Sequence, residues 1–133
     1  MILVVLPTLR KESIVRCRDY IPDFCALVTV GPEISPVTAA FNYGVREYTV
    51  KEARGLWHWE RIIPWSDDLV PKSAWLGIGI HWLLHKLGGN GLVSFRDEST
   101  DDPCATTWLA SRQFVKDHLG GVIAIPHYKH YFS

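Results

Sequence analysis

Ile2-Leu3-Val4-Val5-Leu6-Pro7 is an unbroken run of leucine and β-branched residues stopped by a proline. It lacks the apolar–polar alternation of a half-solvated strand, so it reads as a strand buried on both faces, of the kind found inside a parallel sheet. Outward from it, helix and strand patterns alternate. Arg10–Tyr20 sets Ile14, Val15 and Cys17 among charged residues, a polar helix with one narrow apolar face that ends before Pro22. Ala26–Val30 reads as a second strand closed by Gly31-Pro32, Pro36 holds the next loop extended, and Val37–Tyr48 reads as a second helix. Trp57–Trp65 fits a strand arriving at a loop, Ser66-Asp67-Asp68. Ser73–Leu87 predicts a helix capped by the Ser73 hydroxyl and ended by Gly88-Gly89; apolar residues surround its axis, which predicts burial. Gly91–Phe95 gives a short strand, Arg96–Pro103 a polar loop, Thr106–Ala110 a strand or turn, and Gln113–Leu119 a helix before Gly120-Gly121. This order predicts one α/β domain over residues 1–133, with a mostly parallel central sheet flanked by helices and right-handed crossovers.

Composition narrows the function classes. With 47% apolar and 21% charged residues, the chain carries enough apolar surface to fold as a globule. Fourteen Lys and Arg balance fourteen Asp and Glu, so no net field favours nucleic acid. The longest apolar stretches, Ile2–Leu6 and Ala74–Leu84, fall short of the roughly 20 residues a membrane span needs, and no basic segment before Ile2–Leu6 suggests a signal peptide. Cys17, Cys25 and Cys104 have no close pair and no histidine partner, which predicts structural thiols in a reducing, cytoplasmic setting.

Asp67-Asp68 is the most informative pair. Two adjacent carboxylates after an apolar strand fall where α/β sheets place their sites, and hard oxygen ligands suit Mg²⁺ or Mn²⁺, which completes its shell with water and substrate phosphate. The same pair also fits a helix-start turn, where Asp favours the positive end of the dipole. His81 and His85, four apart on one helix face, have a zinc-compatible spacing without a further ligand motif. Of the tryptophans, Trp75, Trp82 and Trp108 sit in apolar patterns that predict core positions, whereas Trp57, Trp59 and Trp65 approach the acidic loop and could stack on a base or sugar.

Several segments, taken in order, resemble the glycosyltransferases of family 2 and their GT-A nucleotide-sugar-binding fold. Ile2–Thr8 looks like the opening strand and turn that contact the nucleotide. Ala39-Ala40-Phe41-Asn42-Tyr43-Gly44-Val45 is similar to the family's helix bearing Asn-x-Gly after small residues, and Trp65-Ser66-Asp67-Asp68 resembles its acidic metal-binding motif. Gly91-Leu92-Val93, Ala105–Arg112 and Gly120-Gly121 look like the strand, acceptor-side segment and helix end that follow. The resemblance implies a single-domain, Rossmann-like sandwich that binds a nucleotide-diphosphate sugar. Pro7, Thr8 and Arg10 would lie beside base and ribose, Asn42 and Asp67 would contact the donor, and Asp68 with Asp67 would hold Mn²⁺ or Mg²⁺.

Two departures qualify what the resemblance implies. The acidic residue that usually grips the nucleotide after the second strand is missing from Thr29-Val30-Gly31-Pro32, and Glu33 is the nearby substitute. The family's general base is an Asp beyond the last helix, about where this chain reaches Tyr131-Phe132-Ser133, and no acidic residue follows Asp117. His127 and His130 are the remaining candidates for a base, since neutral imidazole accepts a proton. Arg112 and Lys129 are candidates for offsetting diphosphate charge. The alternative expectation is a non-catalytic GT-A-like binding or assembly module, including a homo-oligomer, that uses exposed tryptophans and the aromatic tail for protein contacts. The acceptor is not specified by any of these residues.

Overall fold

The structure is a computed structural model and describes residues 1–8, 11–55, 58–66, 71–72, 74–95 and 107–121. Among the described residues, five strands and four helices follow in the order β1 (Ile2–Pro7), α1 (Lys11–Arg18), β2 (Cys25–Val30), α2 (Val37–Glu52), β3 (Arg61–Pro64), α3 (Trp75–His85), β4 (Leu92–Phe95), β5 (Thr107–Ser111) and α4 (Arg112–His118). The strands form one sheet ordered β2-β1-β3-β5-β4.

The opening run sits where its composition predicts. Leu3 and Val5 face one side with α2 and α4; Ile2, Val4 and Leu6 face the other with α1 and α3, and all five are at most 3% exposed. β1 pairs in parallel with β2 on one side, Ile2 opposite Cys25, and with β3 on the other, Ile2 opposite Arg61. From β1 the chain passes to β2 and then returns across β1 to β3. These opposite directions of travel put α1 and α2 on opposite faces, as one hand of crossover requires.

The expectation of a mostly parallel sheet is corrected: the sheet is mixed, because β5 runs antiparallel to both β3 and β4. β4 and β5 follow one another in the chain and lie side by side in the sheet, the arrangement in which strands pair antiparallel. Burial of the Ser73–Leu87 helix is also corrected. α3 starts at Trp75 after Ala74, which has φ 61° and makes no side-chain cap, and it buries only the stripe Leu76, Gly79 and Leu83. Ile78, Trp82, Leu84 and the following Leu87 remain exposed.

Gly44 explains why α2 lies close on the sheet. A Cβ there would stand 2.6 Å from Val5 Cγ1 and 3.1 Å from Val30 Cγ2, so the Asn-x-Gly glycine is a packing requirement. Among the described residues no helix is long and apolar enough to cross a membrane.

Candidate functional site

In an open α/β sheet, ligands settle outside the carboxyl ends of the strands where successive connections diverge, here between β1 and β3. A cleft of about 370 Å³ opens at that edge. Pro7 and Thr8 reach it from the end of β1, Val30, Gly31 and Pro32 from the end of β2, and Ser66 from the turn after β3. The edge is tied together by the ladder: Thr8 N–H donates to the Val30 carbonyl at 2.9 Å, and Trp65 N–H to the Val5 carbonyl at 2.9 Å.

The floor is apolar, from Ile34, Val37 and Ala40, while Thr8, Ser35 and Ser66 bring hydroxyls to the rim. The first turn of α2 enters the lining through Val37 and Ala40 with no acidic residue and no side-chain cap on Pro36. An anion beside such a turn is favoured by the helix dipole. Glu33 folds its carboxylate back against Gly31, where a Cβ would collide with it; Gly31 lines the cleft and Glu33 does not.

Of the residues expected from the sequence, Pro7 and Thr8 line this cleft. Asn42 is 5% exposed within α2 and has bonded partners, but it does not line the cleft. Arg10, Asp67, Asp68, His127, Lys129 and His130 lie outside the described residues, as do Trp57 and Cys104; Ser66, the residue before the acidic pair, is in the lining.

The tryptophan expectations change. Trp59 is 3% and Trp65 1% exposed, so neither ring is available to stack on a ligand. Trp65 follows Ile63 by two positions and shares its face of the sheet; its ring packs on Trp75 at 4.8 Å, and Trp75 meets Phe95 edge-on at 5.4 Å. Trp108 is core as expected, whereas Trp82, expected in the core, is half exposed. His81 and His85 do share a helix face, with ring centroids 4.7 Å apart, but among the described residues no third ligand joins them. Cys17 is buried, and burial pushes the Cys25 thiol up to about 11, both consistent with structural thiols.

Arg112 does not line this cleft and lies at the opposite edge of the sheet. It begins α4 next to the start of β3, where Arg61 pairs with Ser111. Its Nη1 donates to both Glu52 oxygens at 2.9 Å and to the Trp59 carbonyl at 3.2 Å, and its guanidinium lies 4.4 Å over the Trp59 ring. Burial of Glu52 would raise its pKa, but the Trp59 N–H, Arg112 and His58 together hold the carboxyl below its ordinary value. His58 Nδ1 stands 3.4 Å from Glu52, which completes the cluster. Sequence reading missed this constellation, because Glu52 and Arg112 are 60 positions apart and no local spacing links them.

Comparison of the chain with protein-family models, with curated proteins and with solved structures gives no match.

Proposed function

We propose that this protein binds a nucleotide-diphosphate sugar in the carboxyl-edge cleft, on a GT-A-like fold, and transfers the glycosyl group to an acceptor in a metal-dependent reaction. The observation that carries this reading is the convergence of Pro7, Thr8, Gly31 and Ser66 on one cleft at the divergence of β1 and β3. Asp67-Asp68 follow Ser66 directly in the chain. Apolar walls with a few hydroxyls suit a flat base and a ribose. On this reading Pro7, Thr8 and Arg10 contact the nucleoside, with Glu33 as the acidic group of that end. Asn42 supports the donor side from α2.

Asp68 and Asp67 offer hard carboxylate oxygens of the kind Mn²⁺ or Mg²⁺ takes, and the ion, when bound, offsets charge on the departing diphosphate. Transfer with inversion also needs a base for the acceptor hydroxyl, and His127 or His130 fills that role in the proposal. Calorimetric titration of UDP and GDP sugars with Mn²⁺ tests it. Heat is expected with wild type and a large loss with Asp68→Ala; no heat with any nucleotide sugar removes the reading.

A second reading, a non-catalytic assembly module of the same architecture, is favoured by one observation, the exposed apolar residues Ile78, Trp82, Leu84 and Leu87 along and after α3. A second copy of the chain is the partner on this reading. Sedimentation of wild type against Trp82→Glu tests it, with a dimer expected to dissociate in the variant; a wild-type monomer at every concentration excludes it.

A further inference from the structure

The amino-terminal edge of the parallel strands carries a second cleft, of about 390 Å³, whose lining includes Arg61, Arg112, Lys116, His58 and Glu60. Arg61 opens β3, Arg112 opens α4 directly after β5, and Lys116 lies four residues further on the same helix face. The sheet register brings the first two together, since Arg61 pairs with Ser111.

These cations have donors to spare. Among the described residues Arg61 Nε is buried without a hydrogen-bond partner, and Nη1 of the same guanidinium stands 3.9 Å from the Glu60 carboxylate. A desolvated guanidinium N–H without an acceptor is costly, and such groups in folded proteins call for a missing water or ion. The side-chain hydrogen bonds of Arg112 all run through Nη1, which leaves Nε and Nη2 unspent among the described residues. Lys116 is exposed and has no ion-pair partner among them. Against these stands one lining carboxylate, Glu60, whose side chain is 61% exposed and is divided between Arg61 and the Met1 amino group, each 3.9 Å away.

We propose that this amino-edge cleft is a binding site for a phosphoryl dianion, held by Arg61 and Arg112 through their planar forks and by Lys116 as a point charge. Guanidinium forks match phosphate oxygens two at a time, and charge-assisted bonds of this kind are the strong ones. Glu52 holds Arg112 through Nη1 alone, so the guanidinium is fixed in place before any anion arrives while Nε and Nη2 stay unspent. The site lies across the sheet from the carboxyl-edge cleft and stands independently of the donor-binding proposal.

Titration of inorganic phosphate and, separately, of glycerol phosphate at constant ionic strength, followed by amide NMR, tests the site. Saturable shifts at Gly89, Gln113 and Lys116 are expected, and the probe that binds tighter identifies free phosphate or a phosphomonoester as the natural form. Arg61→Gln should weaken binding about tenfold or more, the loss of a charge-assisted bond. Lys116→Gln, at an exposed position with no structural contact to lose, should weaken it severalfold. Glu60→Gln should tighten it, because it frees Arg61 and removes a like charge. Absence of saturable shifts with both probes overturns the proposal; so does unchanged affinity in Lys116→Gln and Glu60→Gln, which would mark diffuse surface association.

Discussion

The two halves of the sheet are built from apolar sequence, and each buries its inner strand, β1 or β5, more fully than its edge strand, β2 or β4. In the parallel half, β1 is covered on both faces and none of Ile2 to Leu6 is more than 3% exposed. In the antiparallel half, Leu92, Val93 and Phe95 of β4 are only partly buried, and α3, with the sequence Trp75-Leu76-Gly77-Ile78-Gly79-Ile80-His81-Trp82-Leu83-Leu84-His85, hides a single stripe. The difference teaches that an apolar run guarantees burial only where elements lie on every side of it. At the edge of a sheet the same composition leaves a surface.

The largest expected contrast between the halves is in truncation. Leu3→Ala removes a fully buried side chain and should cost about 2–5 kcal/mol, whereas Leu84→Ala, at a position 39% exposed, should change stability by no more than about 0.5 kcal/mol. Urea denaturation of both variants measures this, and equal losses would mean that the outer face of α3 is covered in solution.

Two helical glycines sharpen the contrast by sign. Gly44→Ala pushes a methyl group onto Val5 and should cost about 1–3 kcal/mol. Gly77→Ala in the first turn of α3 meets nothing within 4 Å and should raise stability by about 0.4–1 kcal/mol, because alanine has less unfolded-chain entropy to lose. Thermal unfolding of the pair decides it.

The halves are joined by Glu52 on α2 and Arg112 on α4, and this clasp is pH-dependent. The folded-state pKa of Glu52 lies below its ordinary value of 4.5, so its contribution is fully present above that value and is lost as pH falls through the lower, folded value. Stability measured against pH should therefore fall on acidification, and Glu52→Gln should flatten that limb while leaving a lower plateau at neutral pH. An unchanged acid limb would place the coupling elsewhere.

The smallest effect is one of reactivity. Cys25 belongs to β2, the outer strand of the parallel half, and burial raises its thiol pKa to about 11. In a variant retaining Cys25 as its sole cysteine, alkylation near pH 8 should be slow in the fold and rise sharply in denaturant. Fast alkylation of the folded protein would show that even the edge of the parallel half is open.

Most elements of the fold are legible in the sequence, because proline and glycine punctuation brackets the apolar runs; Thr106–Ala110, which reads as a strand or a turn, is the exception and forms β5. Order across the sheet is not legible. Nothing local in Thr107–Ser111 states that it will insert between β3 and β4, since that choice is made by neighbours distant in the chain. The site divides the same way. Pro7 and Thr8 can be placed because they end a strand whose depth is evident, and Ser66 follows from the loop position. Arg112 was misplaced because its partners come from α2 and from the approach to β3. Trp65 was misread by its nearness to the acidic pair, when its two-residue offset from Ile63 already assigned it to the interior.

The strand order also bears on how the chain is made. β4 touches the sheet only through β5, yet it is synthesised first. In the interval when β4 has left the ribosome and β5 has not, the hydrogen-bonding edge of β4 has no neighbour to pair with, and the stripe of α3 that will cover Phe95 has only half a sheet to rest on. An unpaired strand edge is an invitation to pair with another chain. The antiparallel half is thus the part of this protein whose nascent form depends most on how soon β5 follows β4 out of the ribosome.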